Sequence, residues 1–271
     1  MGWEWNHGTL PYLYVSEWTS RGVETGFSSR VGGVSTGAYA SLNLGLHVGD
    51  APGTVLENRG RWLARFGADW QGVAVGEQVH GSRVLWVENS DGGRGARSLD
   101  TALPQVDGLL TQSGLGLMAF FADCVPIFFY HPRLEAVGLA HAGWKGTVGK
   151  IVLRMLEALA ERGGRPEEAW AALGPSIGAC CYEVDEPLAE RFRVDFQETP
   201  FLTPTCQGHY RLDLGQANQI MLRTAGVPEE QIAVAGQCSA CHPDRFFSHR
   251  RDGVPTGRMA GWIRHRGKGE G

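Results

Sequence analysis

The stretch LMAFFADCVPIFFY, residues 117–130, is the most apolar part of the chain. It is interrupted by Asp123 and is shorter than the roughly 20 apolar residues that a membrane-spanning helix needs. Two short apolar runs separated by a polar turn are typical of buried strands. We therefore predict strands over 117–121 and 125–130, with Cys124 in the turn between them.

The flanking sequence carries both strand and helix patterns. Further strands are predicted over 73–79, 84–87, 136–140, 169–173 and 232–235. Helices are predicted over 52–66, 147–162, 186–194 and 213–224, the first two capped by Asp50 and Thr147. Because several neighbouring strands lack a helix between them, this order indicates a mixed sheet in an α/β or α+β layered fold. His141 then follows a strand end and precedes a helix, a position where pockets usually form.

Composition excludes several classes of protein. The chain has 271 residues, a net charge of −4 and a pI of about 6.1, so no basic excess favours nucleic acid or a membrane surface. The first residues lack a cationic segment followed by an apolar run, and six cysteines do not make a disulfide framework. We expect one domain over 1–271, reduced and cytoplasmic, with a frayed end RHRGKGEG at 264–271.

Three separated segments each carry one metal ligand beside small residues. They are EQVHGS around His80, FFADCVPI around Cys124 and LAHAGWKGT around His141. One thiolate and two imidazoles suit Zn²⁺ with a fourth position open to water or substrate, and by affinity order they could also take Cu²⁺. Asp123 could serve as a hydrogen-bond acceptor for a ligand or as a proton carrier. From spacing alone, a packed cysteine and two turn histidines are the more common explanation, because the three residues are far apart in the sequence.

Longer segments resemble a known family. They are FSSRVGGVSTGAYASLNLGLHVGD (27–50), ENRGR (57–61), QVHG (78–81), VDGLLT (106–111), ADCVPI (122–127), HAGWKGT (141–147), GPSIGACCYEV (174–184), LDL (212–214) and FFSHRRDGVPTGRMA (246–260). On these segments the chain resembles the YfiH-like, laccase-domain family, described as multifunctional purine nucleoside phosphorylases. The resemblance implies an α/β (α+β) layered sandwich with mixed β-sheets, the YfiH-like or CNF-toxin-like cysteine hydrolase fold.

The resemblance also implies a site and its partners. The implied metal ligands are His80, Cys124 and His141, with Zn²⁺ as the cofactor and Cu²⁺ as an alternative. Asp123, Cys124 and His141 are the predicted catalytic residues. The predicted substrate contacts are Asn43, Arg59, Gln78, Lys145 and Arg250. The implied partners are purine nucleosides and phosphate, without nucleic acid or membrane, and the implied state is a monomer. The implied activities are phosphorolysis of adenosine, inosine and methylthioadenosine, and deamination of adenosine.

Two positions depart from the family pattern. Lys145 stands where Arg is usual, which keeps the charge but loses the bidentate fork. His249 stands where Tyr is usual, which replaces a phenol with a group that titrates near neutrality. We expect a weaker anion contact at the first position and an altered pH dependence or substrate preference from the second.

The sequence is also compatible with other functions. A metal-free amide hydrolase, including one that edits peptidoglycan precursors, would use Cys124 as nucleophile and His141 as base. A copper-dependent polyphenol oxidase (laccase) is less well supported, since the nine histidines include no His-x-His pair. A non-catalytic binding protein is a third class, disfavoured by the many polar residues in glycine-bracketed segments.

Four other cysteines are predicted to be structural. Cys238 and Cys241 form C-S-A-C, but no second C-x-x-C exists to complete a zinc knuckle. Cys180 and Cys181 follow the GPSIG turn, where we expect them to pack or to line a pocket wall.

Overall fold

The computed structural model describes residues 1–266. Its β-strands, in chain order, are β1 Trp3–Asn6, β2 Tyr12–Val15, β3 Val23–Ser28, β4 Val73–Val75, β5 Val84–Val87, β6 Gly108–Thr111, β7 Gly116–Phe121, β8 Val125–His131, β9 Ala136–Ala142, β10 Trp170–Leu173, β11 Glu183–Asp185, β12 Leu202–Pro204, β13 His209–Leu212, β14 Ile232–Val234 and β15 Met259–His265. Its α-helices are α1 Ser16–Thr19, α2 Pro52–Ala64, α3 Trp144–Val148, α4 Ile151–Glu161, α5 Glu186–Asp195, α6 Leu214–Thr224 and α7 His249–Asp252.

The strands form two large mixed sheets and one small sheet. The first large sheet has the order β1-β2-β3-β15-β7-β4, and the second has the order β14-β10-β8-β9-β6-β5. Each contains both antiparallel and parallel pairs, such as β15 with β7 and β4 with β7 in the first. The small antiparallel sheet has the order β11-β13-β12. This arrangement confirms the predicted layered fold with mixed sheets.

Strand β7 shows how the layers stack. Its residues Leu117, Ala119 and Phe121 belong to the core between the two large sheets, whereas Met118 and Phe120 belong to a second core on the opposite face. Alternation between two apolar environments is what a strand buried on both faces requires. The long apolar run at 117–130 therefore arises because both of its strands are covered on both sides.

Helices cover the outer faces of the two sheets. Trp62 and Leu63 of α2 pack on the outer face of the first sheet. Helices α4 and α6 cover the outer face of the second sheet, with Met155 and Met221 among the buried residues. The result is a four-layer order of helix, sheet, sheet and helix, with the inter-sheet core in the middle.

Several boundaries differ from the sequence predictions. The helix predicted over 147–162 is divided into α3 and α4, because Lys150 has a left-handed backbone (φ 58°). The N-cap of α2 is Ala51 without a side-chain cap, and Asp50 instead accepts hydrogen bonds from Ser35 and Asn43. The strand predicted over 73–79 ends at Val75.

The predicted frayed end also needs correction. Arg264 and His265 belong to β15, which pairs with β3, so this part of the segment is ordered by a sheet. The remainder from 267 to 271 lies outside the described residues. Among the residues that the structure describes, no helix has both the length and the apolar character required to cross a bilayer.

Candidate metal centre and active site

The three predicted metal ligands meet where the chain crosses between the two large sheets. Cys124 lies in the short connection from β7 of the first sheet to β8 of the second. His141 is the penultimate residue of β9 and pairs with Pro126 of β8, which brings it beside that connection. His80 comes from the loop after β4. The ligand atoms of all three residues lie within 4.8 Å of one another.

A buried carboxylate that the sequence analysis did not single out organises both imidazoles. Asp107 Oδ1 lies 2.9 Å from His141 Nδ1. The same carboxylate accepts hydrogen bonds from three consecutive backbone N–H groups, those of Val79 (3.2 Å), His80 (3.0 Å) and Gly81 (2.7 Å). His80 has φ 60°, a left-handed conformation that costs a non-glycine residue roughly 1 kcal/mol or more. These three hydrogen bonds offset that cost and hold the His80 loop in place.

The charges of Cys124 and His141 stabilise each other. Burial raises the pKa of the Cys124 thiol, but the charge of His141 and hydrogen bonds from both imidazoles outweigh burial and lower it to about 6. Burial lowers the pKa of His141, but the charge of Cys124 and the hydrogen bond with Asp107 outweigh burial and raise it to about 9. Without a metal, this geometry therefore favours a thiolate–imidazolium pair at neutral pH.

The donor set fits one transition-metal ion. Zinc–sulfur and zinc–nitrogen distances of roughly 2.3 and 2.0 Å place one sulfur and two nitrogen donors about 3.3–3.5 Å apart in a tetrahedral site. The three ligand atoms, all within 4.8 Å of one another, lie close enough together to share one ion. With Nδ1–H of His141 directed at Asp107, Nε2 would be the atom of this ring that binds an ion. In protein metal sites, a histidine that binds the metal through one ring nitrogen usually donates a hydrogen bond from the other ring nitrogen.

A cavity of about 870 Å³ opens from these ligands. Its size is within the range of small-molecule sites. It is lined by His47, Val75, Gly76, Glu77, Gln78, His80, Leu99, Asp100, Ala102, Pro104, Phe120, Ala122, Asp123, Cys124, His141, Trp144, Ile177, Tyr182, Leu214, His249, Arg250 and Arg258. The wall thus combines aromatic rings, two guanidinium groups and the Cys/His/His set, which together can hold a flat aromatic ligand and an anion.

Three of the other predicted site residues line this cavity. The Asp123 carboxylate accepts hydrogen bonds from Ser239 Oγ (2.5 Å) and from the backbone N–H of Arg250 (2.8 Å). Gln78 exchanges two hydrogen bonds with the backbone of Phe120, both at 2.8 Å. The Arg250 side chain donates to the carbonyl of Glu183 at 2.7 Å. Asp123 was expected as the acceptor for a ligand side chain, but the carboxylate bonded to His141 is that of Asp107.

Three predicted substrate contacts do not line the cavity. Asn43 is buried and bonds to the backbone of Gly45 and Arg258. Arg59 is fully buried, donates to three backbone carbonyls and stacks over Phe120. Lys145 is exposed, with its ammonium 5.6 Å from the centroid of the Trp144 ring. The first two residues stabilise the fold around the cavity and present no polar group to it.

The structure adds cavity residues that the sequence analysis did not name. His47 faces the cavity, and burial together with the charges of Arg258 and Arg59 lowers its pKa well below the ordinary value, so it is neutral at pH 7. Arg258 comes from the segment just before β15 and donates to the carbonyls of Thr256 and Gly257. Like Asp107, these residues lie within segments that carried the family resemblance. They follow no local ligand spacing, so only folding identifies them.

Comparisons with known proteins find relatives that match most of the chain. The family model described as "Multi-copper polyphenol oxidoreductase laccase" matches residues 24–266. The "Purine nucleoside phosphorylase YlmD" of Geobacillus stearothermophilus is 44% identical over 252 residues, which cover 90% of this chain and 91% of that protein. The "Adenosine deaminase RL5" of an unknown prokaryotic organism is 34% identical over 242 residues, covering 88% and 92% respectively. The crystal structure of YlmD from Geobacillus stearothermophilus superposes with a TM-score of 0.93 at 40% identity, covering 97% of this chain and 98% of that one.

Proposed function

The chain belongs to the multi-copper polyphenol oxidoreductase laccase family, and we propose that it is a purine nucleoside phosphorylase that also deaminates adenosine. The observation that carries the proposal is the position of the Cys124, His80 and His141 ligand atoms on the wall of a cavity that also exposes Arg250 and Arg258. One relative named for phosphorolysis and another named for deamination each match most of this chain. This supports assigning both reactions to the same cavity.

The proposed ligands of the resident ion are His80, Cys124 and His141, and the proposed ion is Zn²⁺, with Cu²⁺ as the alternative. When bound, such an ion acts as a Lewis acid toward water or a substrate oxygen. Asp107 orients His141 and the His80 loop, so that both imidazoles face the same point. All of these groups come from one chain, and we propose that the protein acts as a monomer.

Substrate binding is assigned to other residues that line the cavity. Arg250 and Arg258 carry the positive charge that would hold phosphate beside C1′ of the ribose. The rings of Phe120 and Tyr182 offer apolar surface for the purine, and Gln78 fixes the backbone of Phe120. Neutral His47 can exchange hydrogen bonds with a ribose hydroxyl.

The two reactions need different co-substrates. In phosphorolysis, a phosphate oxygen bonds to C1′, the C1′–N9 bond breaks, and the purine leaves with a proton. In deamination, water adds at C6, the bond from C6 to the exocyclic nitrogen breaks, and ammonia leaves with a proton. Asp123 faces the cavity beside Cys124, and we assign proton exchange with the purine to its carboxylate.

Product chromatography tests the proposal directly. The purified protein is incubated with adenosine, with and without inorganic phosphate, under anaerobic conditions. We expect adenine and ribose 1-phosphate only when phosphate is present, and inosine in both cases. Cys124→Ala and His80→Ala should each abolish both reactions, whereas Cys206→Ser, at an exposed cysteine outside the cavity, should retain them. An inactive wild-type protein, or turnover that requires oxygen, would refute the proposal.

A metal-free amide hydrolase is the second candidate, because the thiolate–imidazolium pair of Cys124 and His141 is also the arrangement of a cysteine nucleophile and its base. An alkylating reagent separates the two. If the thiolate serves as a metal ligand, EDTA treatment should expose it to alkylation and added Zn²⁺ should protect it. If Cys124 acts as a free nucleophile, EDTA should change neither the rate of alkylation nor the rate of amide hydrolysis.

A further inference from the structure

A second group of metal-binding side chains lies apart from the Cys/His/His set. The sulfurs of Cys180, Cys181, Cys238 and Cys241 all lie within 4.8 Å of one another. These cysteines come from two loops, one between β10 and β11 and one after β14. The two pairs are distant in the sequence, and nothing in their spacing indicates that they meet.

The dimensions of the cluster match those of a tetrathiolate site. Four sulfurs bound to one zinc ion at roughly 2.3 Å lie about 3.8 Å from one another. Cys241 Sγ is 3.5 Å from Cys180 Sγ and 3.4 Å from Cys181 Sγ. One sulfur thus has two neighbours at nearly equal distances, which is a convergent arrangement and not the one-to-one pairing that disulfides require.

The surrounding backbone also supports bound thiolates. The N–H of Gly178 donates to Cys238 Sγ at 3.3 Å, a contact of the kind that supports metal-bound sulfur. A Cβ at Gly178 would lie 3.3 Å from Cys180 Sγ, so this glycine lets the backbone approach the cluster closely. Cys180 and Cys241 are exposed, which gives an ion a path from solvent.

An ion at this position would join two loops that both contact Asp123. Ser239, between the two cysteines of C-S-A-C, donates its hydroxyl to Asp123 and its backbone N–H to the carbonyl of Ser176. The backbone N–H of Ile177 donates to the carbonyl of Asp123. Cross-linking these loops would therefore hold the connection that carries Cys124 from both sides.

We propose that Cys180, Cys181, Cys238 and Cys241 bind one Zn²⁺ ion in a closed tetrathiolate site that joins loop 174–182 to loop 236–241. Four soft sulfur donors in a tetrahedral set select zinc or iron, and zinc requires no redox partner. With four protein ligands, the ion has no open position, so its role is structural. The thiols release their protons to solvent as they bind.

Metal analysis of a chain without the first site tests the proposal. The variant His80→Ala/Cys124→Ala removes two of the three ligands of that site and leaves the sulfur cluster intact. After purification under reducing conditions and dialysis against zinc-free buffer, we expect it to retain about one zinc ion per chain. X-ray absorption at the zinc edge should show four sulfur neighbours at roughly 2.3 Å and no nitrogen.

Two further variants provide the contrast. Adding Cys241→Ser should reduce the zinc content to below about 0.1 ion per chain, whereas adding Cys206→Ser should leave it unchanged, because Cys206 lies outside the cluster. The proposal would be overturned if the His80→Ala/Cys124→Ala variant contained no zinc or contained iron instead. Nitrogen or oxygen neighbours in the X-ray absorption spectrum would also overturn it. So would a thiol titration of the denatured, unreduced chain that reveals disulfides among these cysteines.

The zinc content of the sulfur cluster does not depend on the proposed reaction. The first measurement leaves the cluster unmodified, so it stays decisive even if Cys241→Ser fails to fold. It measures metal and not turnover, so failure of the nucleoside reactions would not change its outcome. Circular dichroism of each variant establishes that the chains being compared are folded.

Discussion

The Asp107 carboxylate lies 2.9 Å from His141 Nδ1 and at the same time accepts the backbone N–H of His80 at 3.0 Å. One buried side chain thus positions both imidazoles of the candidate centre, although they come from different segments. Its location directly before β6, which lies next to β9, makes this possible, because Gly108 pairs with Ala140, the residue before His141.

Asp107→Asn should weaken metal binding. The amide has only one acceptor oxygen, and its NH₂ group would face backbone N–H donors of the His80 loop. Loss of an outer partner of a ligand imidazole typically lowers metal affinity by about 10–100-fold. Competition with a chromogenic zinc chelator measures the change, and Asp244→Asn, at an exposed carboxylate, is the control. Affinity within about twofold of wild type would show that Asp107 does not support the ligands.

Sequence patterns predict the elements of this site better than its assembly. The apolar run at 117–130 correctly placed Cys124 between two buried strands, since burial on both faces leaves a continuous apolar signature. The same pattern does not reveal that the two strands belong to different sheets. Periodicity reports which faces are covered, but the identity of the covering layer depends on contacts distant in the sequence.

Individual polar residues are harder still to interpret from sequence. Arg59 lies in a motif and resembles an anion ligand, yet the structure buries it against carbonyl groups. Asp107 belongs to no recognisable metal-ligand motif, yet its carboxylate contacts both His141 and the His80 loop. Cys181 and Cys238 are far apart in the chain, and only the placement of β14 beside β10 brings their loops together. In each case a tertiary contact determines the role.

The reactivity of Cys124 should depend on pH as expected for an acidified thiol. With a pKa of about 6, the metal-free thiol is mostly thiolate at pH 7, and the thiolate is the reactive form. Alkylation of EDTA-treated protein by iodoacetamide should therefore increase from pH 5 to 7 and change little from pH 7 to 8. An ordinary thiol with a pKa near 8.5 would react several-fold faster at pH 8 than at pH 7.

Mass spectrometry of the peptide that contains Cys124 measures this rate separately from those of the other cysteines. Denatured protein provides the control, because unfolding removes the His141 charge and restores ordinary thiol behaviour. If the native and denatured profiles coincide, Cys124 and His141 do not form the charged pair.

Arg258→Ala should affect phosphorolysis more than deamination. Only phosphorolysis uses phosphate, and loss of a charge-assisted hydrogen bond of about 1.5–3 kcal/mol corresponds to a roughly 10–150-fold increase in KM for phosphate. Deamination rates of the same variant should remain within about threefold of wild type. Arg223→Ala, at an exposed arginine paired with Glu229, is the control. Equal losses in both reactions would mean that Arg258 maintains the shape of the cavity and does not bind phosphate.

Arg59→Met should reduce stability without changing phosphate binding. The substitution leaves the buried carbonyls of Leu44, Gly95 and Ala96 without their donor, at about 1–3 kcal/mol for each unsatisfied group. We expect a loss of about 3 kcal/mol or more in the free energy of unfolding, measured in urea at 25 °C.

Arg61→Met is the matched control on the same helix. Arg61 forms an exposed ion pair with Glu57, so its replacement should cost less than about 1 kcal/mol. The phosphate KM of the folded Arg59→Met protein should stay within about twofold of wild type. A large rise in that KM at unchanged stability would restore the interpretation of Arg59 as a substrate contact.

Gly143→Ala should disturb the metal centre through one methyl group. A Cβ built at Gly143 lies 2.8 Å from Cys124 Sγ and 3.3 Å from His80 Cδ2, so both ligands would have to move. Gly53→Ala, within α2, is the matched control, because a Cβ there meets no atom within 4 Å and alanine favours a helix. We expect the first variant to bind zinc at least about tenfold more weakly in the chelator competition, and the second to bind it normally with unchanged or higher stability. Normal zinc affinity in Gly143→Ala would show that Cys124 and His80 do not converge on one ion at this position.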